Sequence, residues 1–291
     1  SIVEAFEQEH DVQVQFFKAG DTGSALNKAI LAGDNPLGDV FYGVDNTFLS
    51  RALEEDIFEV YDSPVLSEVD PGFILDPEKR AIPIDYSDVC LNYDRAWFEE
   101  KGLTPPQTLE DLYDPSYESL LVVQNPALSS PGLAFLLTTI GRFGDPGYLE
   151  YWEKLVENDV LVVNDWETAY YTEFSLWGGQ RPLVVSYSSS PPFEYIFSET
   201  PVEQPPSATV AGPETCFRQV EFAGILKGTP HRSLAEQWID FMLSAEFQAD
   251  MPINMAVFPV RDGVALDKAF IDFMQTADPL ADVPPDTIAT N

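Results

Sequence analysis

Few residues in this chain have the type and spacing that covalent or metal chemistry requires. The two histidines, His10 and His231, have no partner at ligand spacing, and no D-x-D-x-D-G loop occurs, although dispersed carboxylates would still suit a hard cation. There is neither a G-x-S-x-G nucleophile turn nor a Gly-rich phosphate loop. Cys90 would be a nucleophile only if it were exposed beside a base, and burial is the usual state of such a cysteine. The sequence therefore predicts no catalytic centre and no metal site.

Polar and aromatic residues do recur where apolar strand-like runs end and helices begin. Open α/β sheets bind ligands at these carboxyl-end junctions. Four junctions in one chain favour a ligand site over simple helix capping. Ser130 reads as a helix N-cap with Pro131 in the first helical position, and a helix N-terminus suits a hydroxyl or a phosphate. The four junctions supply Asp45 with Asn46, Ser129 with Ser130, Trp166, and Tyr187 with Ser188.

The segment "VVSYSSSPPFEY", residues 184–195, indicates the kind of ligand. Tyr187 and Phe193 would flank a flat molecule, and the serines at 188–190 would hydrogen-bond its edge. Asp45 adds a carboxylate, and these loops contain no basic residue. Aromatic faces with one carboxylate suit a planar, positively charged ligand.

The elements that must position these residues alternate along the chain, which indicates an α/β fold with a largely parallel sheet. Two long extended segments, 80–93 and 216–226, bracket a block of about one domain. We therefore predict two lobes with a hinge and a ligand cleft, lobe 1 from residues 1–91 and 224–291 and lobe 2 from 92–223. Shorter strands are predicted at 38–43, 120–124, 160–163 and 182–187. Helices are predicted at 46–55, 131–143, 148–158, 166–177, 191–198, 233–243, 245–251 and 267–277, and residues 199–213 read as a loop.

The start of the chain reads as a helix over 1–9 followed by an alternating strand at 12–16. Because a parallel sheet normally places a strand before such a crossover helix, we expect a strand, and with it a leader, upstream of Ser1.

Composition excludes two classes of partner. With 49 acidic and 15 basic residues, the formal charge of −34 argues against nucleic acid and against an anionic membrane surface. An acidic, lysine-poor surface is typical of proteins dissolved in concentrated salt, and an acidic extracellular protein is the alternative. The two cysteines, Cys90 and Cys216, lie in strand-like runs, which favours two buried thiols; a disulfide would require the two strands to be neighbours.

Five motifs together resemble the thiamine-binding solute receptors of ABC transporters, within the ferric-type two-lobed solute-binding proteins, over essentially the whole chain. The motifs stand in the order and about the spacing of that family. They are "GDVFYGVDNTFL", "IPIDYSDVCLNYD", "NPALSSPGLAFLL", "VVNDWETAYYTEFSLWGGQRPLVVSYSSSPPFEY" and "AEFQADMPINMAVFPV".

The resemblance implies a type II periplasmic-binding-protein-like fold, each lobe a mixed, mostly parallel sheet flanked by helices. It implies a monomeric receptor, not an enzyme, that closes on thiamine or its phosphates and delivers them to a membrane permease. It also implies an extracytoplasmic location, in the periplasm or at the cell surface, where a missing leader could carry a lipid anchor. No cofactor is expected. The ligand-binding residues carried over are Asp45, Asn46, Tyr86, Ser129, Ser130, Trp166, Tyr187, Ser188 and Phe193.

The chain departs from the family pattern at two places. Phe193 stands where the family tends to have tyrosine, and residues 254–256 lack the family's tryptophan. A receptor for a different small cation, metal or anion with the same fold is therefore the main alternative. A thiamine-degrading transferase is the second alternative, although Cys90 lies three residues beyond Ser87, where the nucleophile of those enzymes is expected.

Overall fold

The computed structural model of the protein describes residues 2–283 and 287–288. The helices are α1 (Ile2–His10), α2 (Thr22–Ala32), α3 (Leu49–Glu54), α4 (Arg95–Lys101), α5 (Ser130–Phe143), α6 (Gly147–Glu157), α7 (Ser190–Ile196), α8 (Arg232–Met242), α9 (Ala245–Met255) and α10 (Lys268–Phe273). The strands are β1 (Val40–Asp45), β2 (Ile82–Asp94), β3 (Leu121–Gln124), β4 (Leu161–Val163), β5 (Leu183–Tyr187), β6 (Ser207–Val210), β7 (Phe217–Ile225) and β8 (Phe258–Pro259). Among the helices so described, none is long and apolar enough to cross a bilayer.

The chain separates into two compact units. Unit 1 contains the described residues of Ser1–Tyr86 and Val220–Asp267, and unit 2 contains those of Ser87–Gln219 and Lys268–Asn291. The first two boundaries fall inside β2 and β7, five and four residues before the positions predicted from the sequence.

The end of the chain is grouped differently from the prediction, which assigned everything after residue 223 to lobe 1. Residues from Lys268 onward belong to unit 2. The physical reason is that α10 packs against α7, where the rings of Tyr195 and Phe273 lie 4.5 Å apart. Residues 284–286 and 289–291 of the predicted segment lie outside the described residues.

Unit 1 is built on antiparallel pairs. β1 pairs with β7, Val40 opposite Ile225, and β8 pairs with the first part of β2, Asp85 opposite Pro259. Burial of the apolar side chains on these strands and on α8 and α9 forms one core, since each removes apolar surface from water. Its fully buried members include Ile82, Ile84, Ala223, Ile225, Ile239, Leu243 and Met251.

Unit 2 contains the parallel part of the fold. β3 lies parallel to both β4 and β5, with Val122 opposite Leu161 and Val184, and the second part of β2 runs antiparallel to β5 and to β6. Because the β3–β4 and β3–β5 connections contain helices, the unit has the strand–helix alternation that the sequence indicated. The predicted α/β class with a mixed sheet is confirmed. The sheet is less parallel than predicted, since β3–β4 and β3–β5 are parallel whereas β1–β7, β2–β5, β2–β6 and β2–β8 are antiparallel.

Several local predictions differ from the structure. Residues 12–16 form no strand; Val14 N–H donates to Glu7 Oε1 at 2.8 Å and Phe16 is 73% exposed. Strand β6 lies in the Pro-rich segment that was predicted to be a loop. The helix predicted over 166–177 is in fact a short start followed by a π-helical stretch, Thr168–Glu173, and a 3-10 turn, Ser175–Trp177. Helices α2 and α4 were not predicted.

The two cysteines form a disulfide within unit 2. Cys90 on β2 and Cys216 just before β7 are bonded, with their Cα atoms 4.4 Å apart. The expectation of two buried thiols was therefore wrong, because the register that makes these segments neighbours cannot be read from the sequence. Neither sulfur is available as a thiolate nucleophile while the bond is intact.

Candidate ligand-binding site

The predicted ligand-binding residues are distributed over both units. Asp45, Asn46 and Tyr86 belong to unit 1. The other six belong to unit 2, and the two groups are described in turn. The unit 2 residues are Ser129, Ser130, Trp166, Tyr187, Ser188 and Phe193.

In unit 2, the N-terminus of α5 presents two buried serines. Ser129 is the N-cap and Ser130 the first helical residue, one position earlier than predicted, and neither hydroxyl caps the helix. The helix begins directly against the end of β3, since a β-carbon on Gly132 would lie 2.5 Å from the carbonyl oxygen of Gln124. Ser129 is 0% and Ser130 1% exposed, and within the described part of the chain neither Oγ has a hydrogen-bond partner.

A third such hydroxyl follows β5. Ser188 is fully buried, its backbone N–H donates to the carbonyl of Asp88 at 2.8 Å, and its Oγ has no partner among the described residues. Because β3 and β5 are parallel neighbours, their carboxyl ends reach the same edge of the sheet. A buried hydroxyl without a partner costs about 1–3 kcal/mol, and a helix N-terminus attracts acceptors and anions. The serines at this edge can therefore serve a hydroxyl or phosphate group of a ligand.

Aromatic residues also follow the strands that end at this edge of the sheet, since β4 and β5 both run parallel to β3. The Trp166 ring stacks on Tyr170 at a centroid distance of 4.9 Å and an interplanar angle of 16°, and it lies 6.0 Å from the Tyr187 ring. Trp166 Nε1–H donates to Ser186 Oγ at 3.0 Å. Trp166 and Tyr187 are both half-buried, so each keeps part of its surface exposed.

The remaining predicted aromatics behave differently. Phe193 is half-buried, and its ring contacts Phe197 at 4.6 Å. Its predicted place opposite Tyr187, across a ligand, stays a prediction. Tyr170, within the π-helical stretch, is buried, whereas Trp177 at the end of the following 3-10 turn is 50% exposed.

In unit 1, Asp45 ends β1 and is fully buried. Its Oδ1 accepts from the Thr47 backbone N–H at 2.7 Å and from the Thr47 hydroxyl at 2.5 Å, so Asp45 closes the turn after the strand. Directly opposite it on β7 is Glu221. The carboxyl of Asp85 on β2 lies against Glu221 and accepts from the Tyr42 hydroxyl at 2.5 Å.

This group of three carboxyls cannot be fully ionised. Burial raises the pKa of Asp85 to about 7, although hydrogen bonds with Tyr42 and Glu221 oppose the shift. Burial also raises the pKa of Glu221 well above its ordinary value, and the charges of Asp85 and Asp45 add to the effect. Carboxyls that share protons near neutral pH can release them when a cation approaches.

Asp85 and Glu221 were missed as candidates in the sequence. Each is a charged residue inside an apolar strand run, "IPIDY" and "QVEFAGI", and that signal was available. What the sequence does not give is the register that places Glu221 beside both Asp45 and Asp85.

Asn46 and Tyr86 are engaged within unit 1. Asn46 exchanges two hydrogen bonds with Val220, its N–H donating to the carbonyl and its Oδ1 accepting from the N–H, each at 3.0 Å. The Tyr86 ring stacks on Phe73 at 4.8 Å and lies 5.5 Å from Phe258. Their assignment as ligand-binding residues stays a prediction.

No group of three or more His, Cys, Asp or Glu side chains is arranged to hold a metal ion in the part of the chain that the structure describes. In unit 2, buried hydroxyls and aromatic rings at one sheet edge suit a flat organic molecule with a polar end. In unit 1, the protonatable carboxyls suit a cationic group.

Comparison with known proteins agrees with this chemistry. A thiamine-binding periplasmic protein of Salmonella typhimurium is 30% identical over 287 residues, 98% of this chain and 82% of that protein. The solved structure of a periplasmic thiamin binding protein superposes with a TM-score of 0.86 at 26% identity, over 100% of this chain and 86% of the other.

Iron-bound HitA from Pseudomonas aeruginosa, 21% identical, superposes with a TM-score of 0.74 over 99% of this chain and 91% of that one, and shows the fold alone. These neighbours are two-lobed periplasmic binding proteins of the type II fold. Residues 35–272 match the family described as bacterial extracellular solute-binding protein. The chain therefore belongs to the bacterial extracellular solute-binding proteins.

Proposed function

We propose that this protein is the receptor of an ABC importer and that its ligand is thiamine or a thiamine phosphate. The observation that carries the proposal is the set of three buried hydroxyls, Ser129, Ser130 and Ser188, at the sheet edge that also bears Tyr187. Thiamine has two flat rings, one of them cationic, and a hydroxyethyl end that can be phosphorylated. Each part has a matching group in the chain.

The aromatic part of the ligand would stack on Trp166 and Tyr187, and its hydroxyl or phosphate end would take hydrogen bonds from the three serines. The carboxyls of unit 1, Asp45 above all, would neutralise the cation. Protein groups that already lie buried and oriented lose little entropy on binding, which favours tight and selective capture.

The rival ligands are a different cation, an anion and ferric iron. The described residues offer no cluster of metal ligands, and the loops of the site lack the lysine and arginine side chains that an anion other than a phosphate at α5 would need. Thiamine breakdown would require a nucleophile, and Cys90 is held in the disulfide.

Isothermal titration calorimetry with thiamine, thiamine monophosphate, thiamine diphosphate, putrescine and ferric citrate tests the proposal. We expect thiamine or one of its phosphates to bind with a Kd of about micromolar or tighter, and the other compounds to bind at least about a hundredfold more weakly. Binding of ferric citrate or putrescine alone would contradict the proposal.

Two variants make the test specific. The double variant S129A/S130A should change the ratio of affinities for thiamine monophosphate and thiamine, because it removes hydroxyls from the α5 N-terminus. Glu153→Gln, an exposed residue on α6 of the same unit, is the matched control and should leave both affinities unchanged. Incubation with thiamine and a nucleophilic base should leave the thiamine intact, whereas an enzyme would consume it.

The proposal also covers the location and the oligomeric state of the receptor. It would act outside the cytoplasmic membrane as a monomer without a cofactor, free in the periplasm or held at the cell surface by a lipid-anchored leader, and pass its ligand to the permease. Sedimentation of the purified protein with and without thiamine tests the monomer.

A further inference from the structure

Glu194 on α7 is a buried carboxylate with a complete set of donors. The Tyr170 hydroxyl donates to its Oε1, and so does the Ser207 hydroxyl at 2.8 Å. The Ser207 backbone N–H donates to its Oε2 at 3.0 Å. Glu194 is 6% exposed and burial raises its pKa to about 7, against the effect of these hydrogen bonds. A buried carboxyl group that accepts three hydrogen bonds is fixed in place, and it holds its donors in turn.

Two sets of contacts connect Tyr170 with the Trp166 ring, one through ring stacking and one through serine hydroxyls. Tyr170 stacks on the face of Trp166, with a centroid distance of 4.9 Å. At the edge of the indole, Nε1–H donates to Ser186 Oγ at 3.0 Å, and Ser186 Oγ lies 3.0 Å from Ser190 Oγ. Burial and the Glu194 charge raise the pKa of Tyr170, and the Ser190 hydroxyl is close enough to the phenol to oppose this shift. Both the plane and the edge of the Trp166 ring are therefore tied to the phenol that Glu194 holds.

We propose that Glu194 is a positioning residue of the ligand site, which fixes the plane of the Trp166 ring through the Tyr170 hydroxyl and the Ser190–Ser186 pair without touching the ligand. The inference rests on the proposed function only in taking Trp166 as a stacking wall. Aromatic stacking depends on the angle and offset of the two rings, so a ring held in advance binds more tightly than one that must be ordered by the ligand.

A double-mutant cycle on thiamine affinity tests this coupling. Glu194→Ala should weaken thiamine binding about tenfold, and Trp166→Ala more strongly. Because Glu194 acts through Trp166, the double variant should bind no more weakly than Trp166→Ala alone. Glu194→Gln keeps an acceptor for the Tyr170 hydroxyl and should restore most of the affinity, and the exposed control Glu153→Gln should have no effect.

A second measurement needs no ligand. The contribution of Trp166 to the near-ultraviolet circular dichroism is obtained as the difference between a protein and its Trp166→Phe variant. Glu194→Ala should change that contribution, and Glu194→Gln should preserve it. If thiamine fails to bind the unmodified protein, the proposed function fails while this measurement still decides the role of Glu194.

Additive losses of affinity in the cycle, or a Trp166 contribution that Glu194→Ala leaves unchanged, would overturn the inference. If Glu194→Ala does not fold, Tyr170→Phe replaces it in both experiments, since it keeps the stacked ring and removes only the hydroxyl that Glu194 accepts.

Discussion

Asp45 on β1 lies directly opposite Glu221 on β7 in an antiparallel pair. Two like charges at such positions repel each other, and the Asp85 carboxyl next to Glu221 adds to the repulsion. The protein must therefore hold at least one proton in this group near neutral pH. This relationship makes the group responsive to a positive charge and to pH.

The charge of Asp45 should matter for binding. Asp45→Asn is expected to weaken thiamine binding by at least tenfold, because removing one partner of a buried charge pair commonly costs about 2–5 kcal/mol. The fold should be retained, since an asparagine oxygen can still accept from the Thr47 backbone N–H. Calorimetry gives the affinity and the thermal midpoint gives the fold. An unchanged Kd would reduce Asp45 to a turn-closing residue.

The free energy of unfolding should decrease as the pH rises from about 4 to 7, because the buried acids lose their protons in this range. The pKa values of Asp85 and Glu194 are each raised to about 7, so the folded state binds more protons than the unfolded state in this range. Stability then falls as pH rises, by up to about 1.4 kcal/mol for each unit of pKa shift. The difference in Tm between pH 5 and pH 8 should shrink in Asp85→Asn and in Glu194→Gln. If Tm depends on pH in the same way in the variants and in the unmodified protein, Asp85 and Glu194 do not cause the pH dependence of stability.

Reduction of the Cys90–Cys216 bond should destabilise unit 2. The bond closes a sequence separation of 126 residues, and loss of a native disulfide typically costs about 2–5 kcal/mol. Tm should drop in dithiothreitol, whereas the double variant C90S/C216S should start lower and not respond. Thiol titration of the unfolded, unreduced protein should find no free cysteine; two free thiols would refute the bond.

The net charge of −34 should make stability depend on salt. Added salt screens the self-repulsion of the acidic surface, since the Debye length falls to about 3 Å at 1 M. Tm should rise steeply from dilute buffer to molar KCl, while thiamine affinity of the folded protein changes only modestly, because stacking and buried hydrogen bonds act at short range. A Tm that does not change with salt would show that the acidic surface is not an adaptation to concentrated salt. A steep loss of thiamine affinity in molar KCl would show that stacking contributes less than proposed.

The sequence predicted the long strands and most helices well, because β2 and β7 are long extended segments rich in apolar residues and α5 has a clear start at Ser129, Ser130 and Pro131. It did not predict what depends on pairing between distant segments. The disulfide, the position of Glu221 beside Asp85 and the contact of Glu194 with Tyr170 all require a register that local patterns do not contain. Strand β6 was missed for a related reason, since its pairing with β2 overrides a loop-like composition.

At the α5 N-terminus, Gly132 packs closely against the Gln124 carbonyl, so the position of the helix and the binding of a ligand can depend on different residues. Contact between the two backbones fixes where the helix begins. The hydroxyls of Ser129 and Ser130 make no capping hydrogen bond, so they are not required to hold the helix in place. Their replacement by other small residues could redirect the receptor to a new ligand end group while the helix keeps its place, which makes this turn a natural point at which transport specificity can evolve.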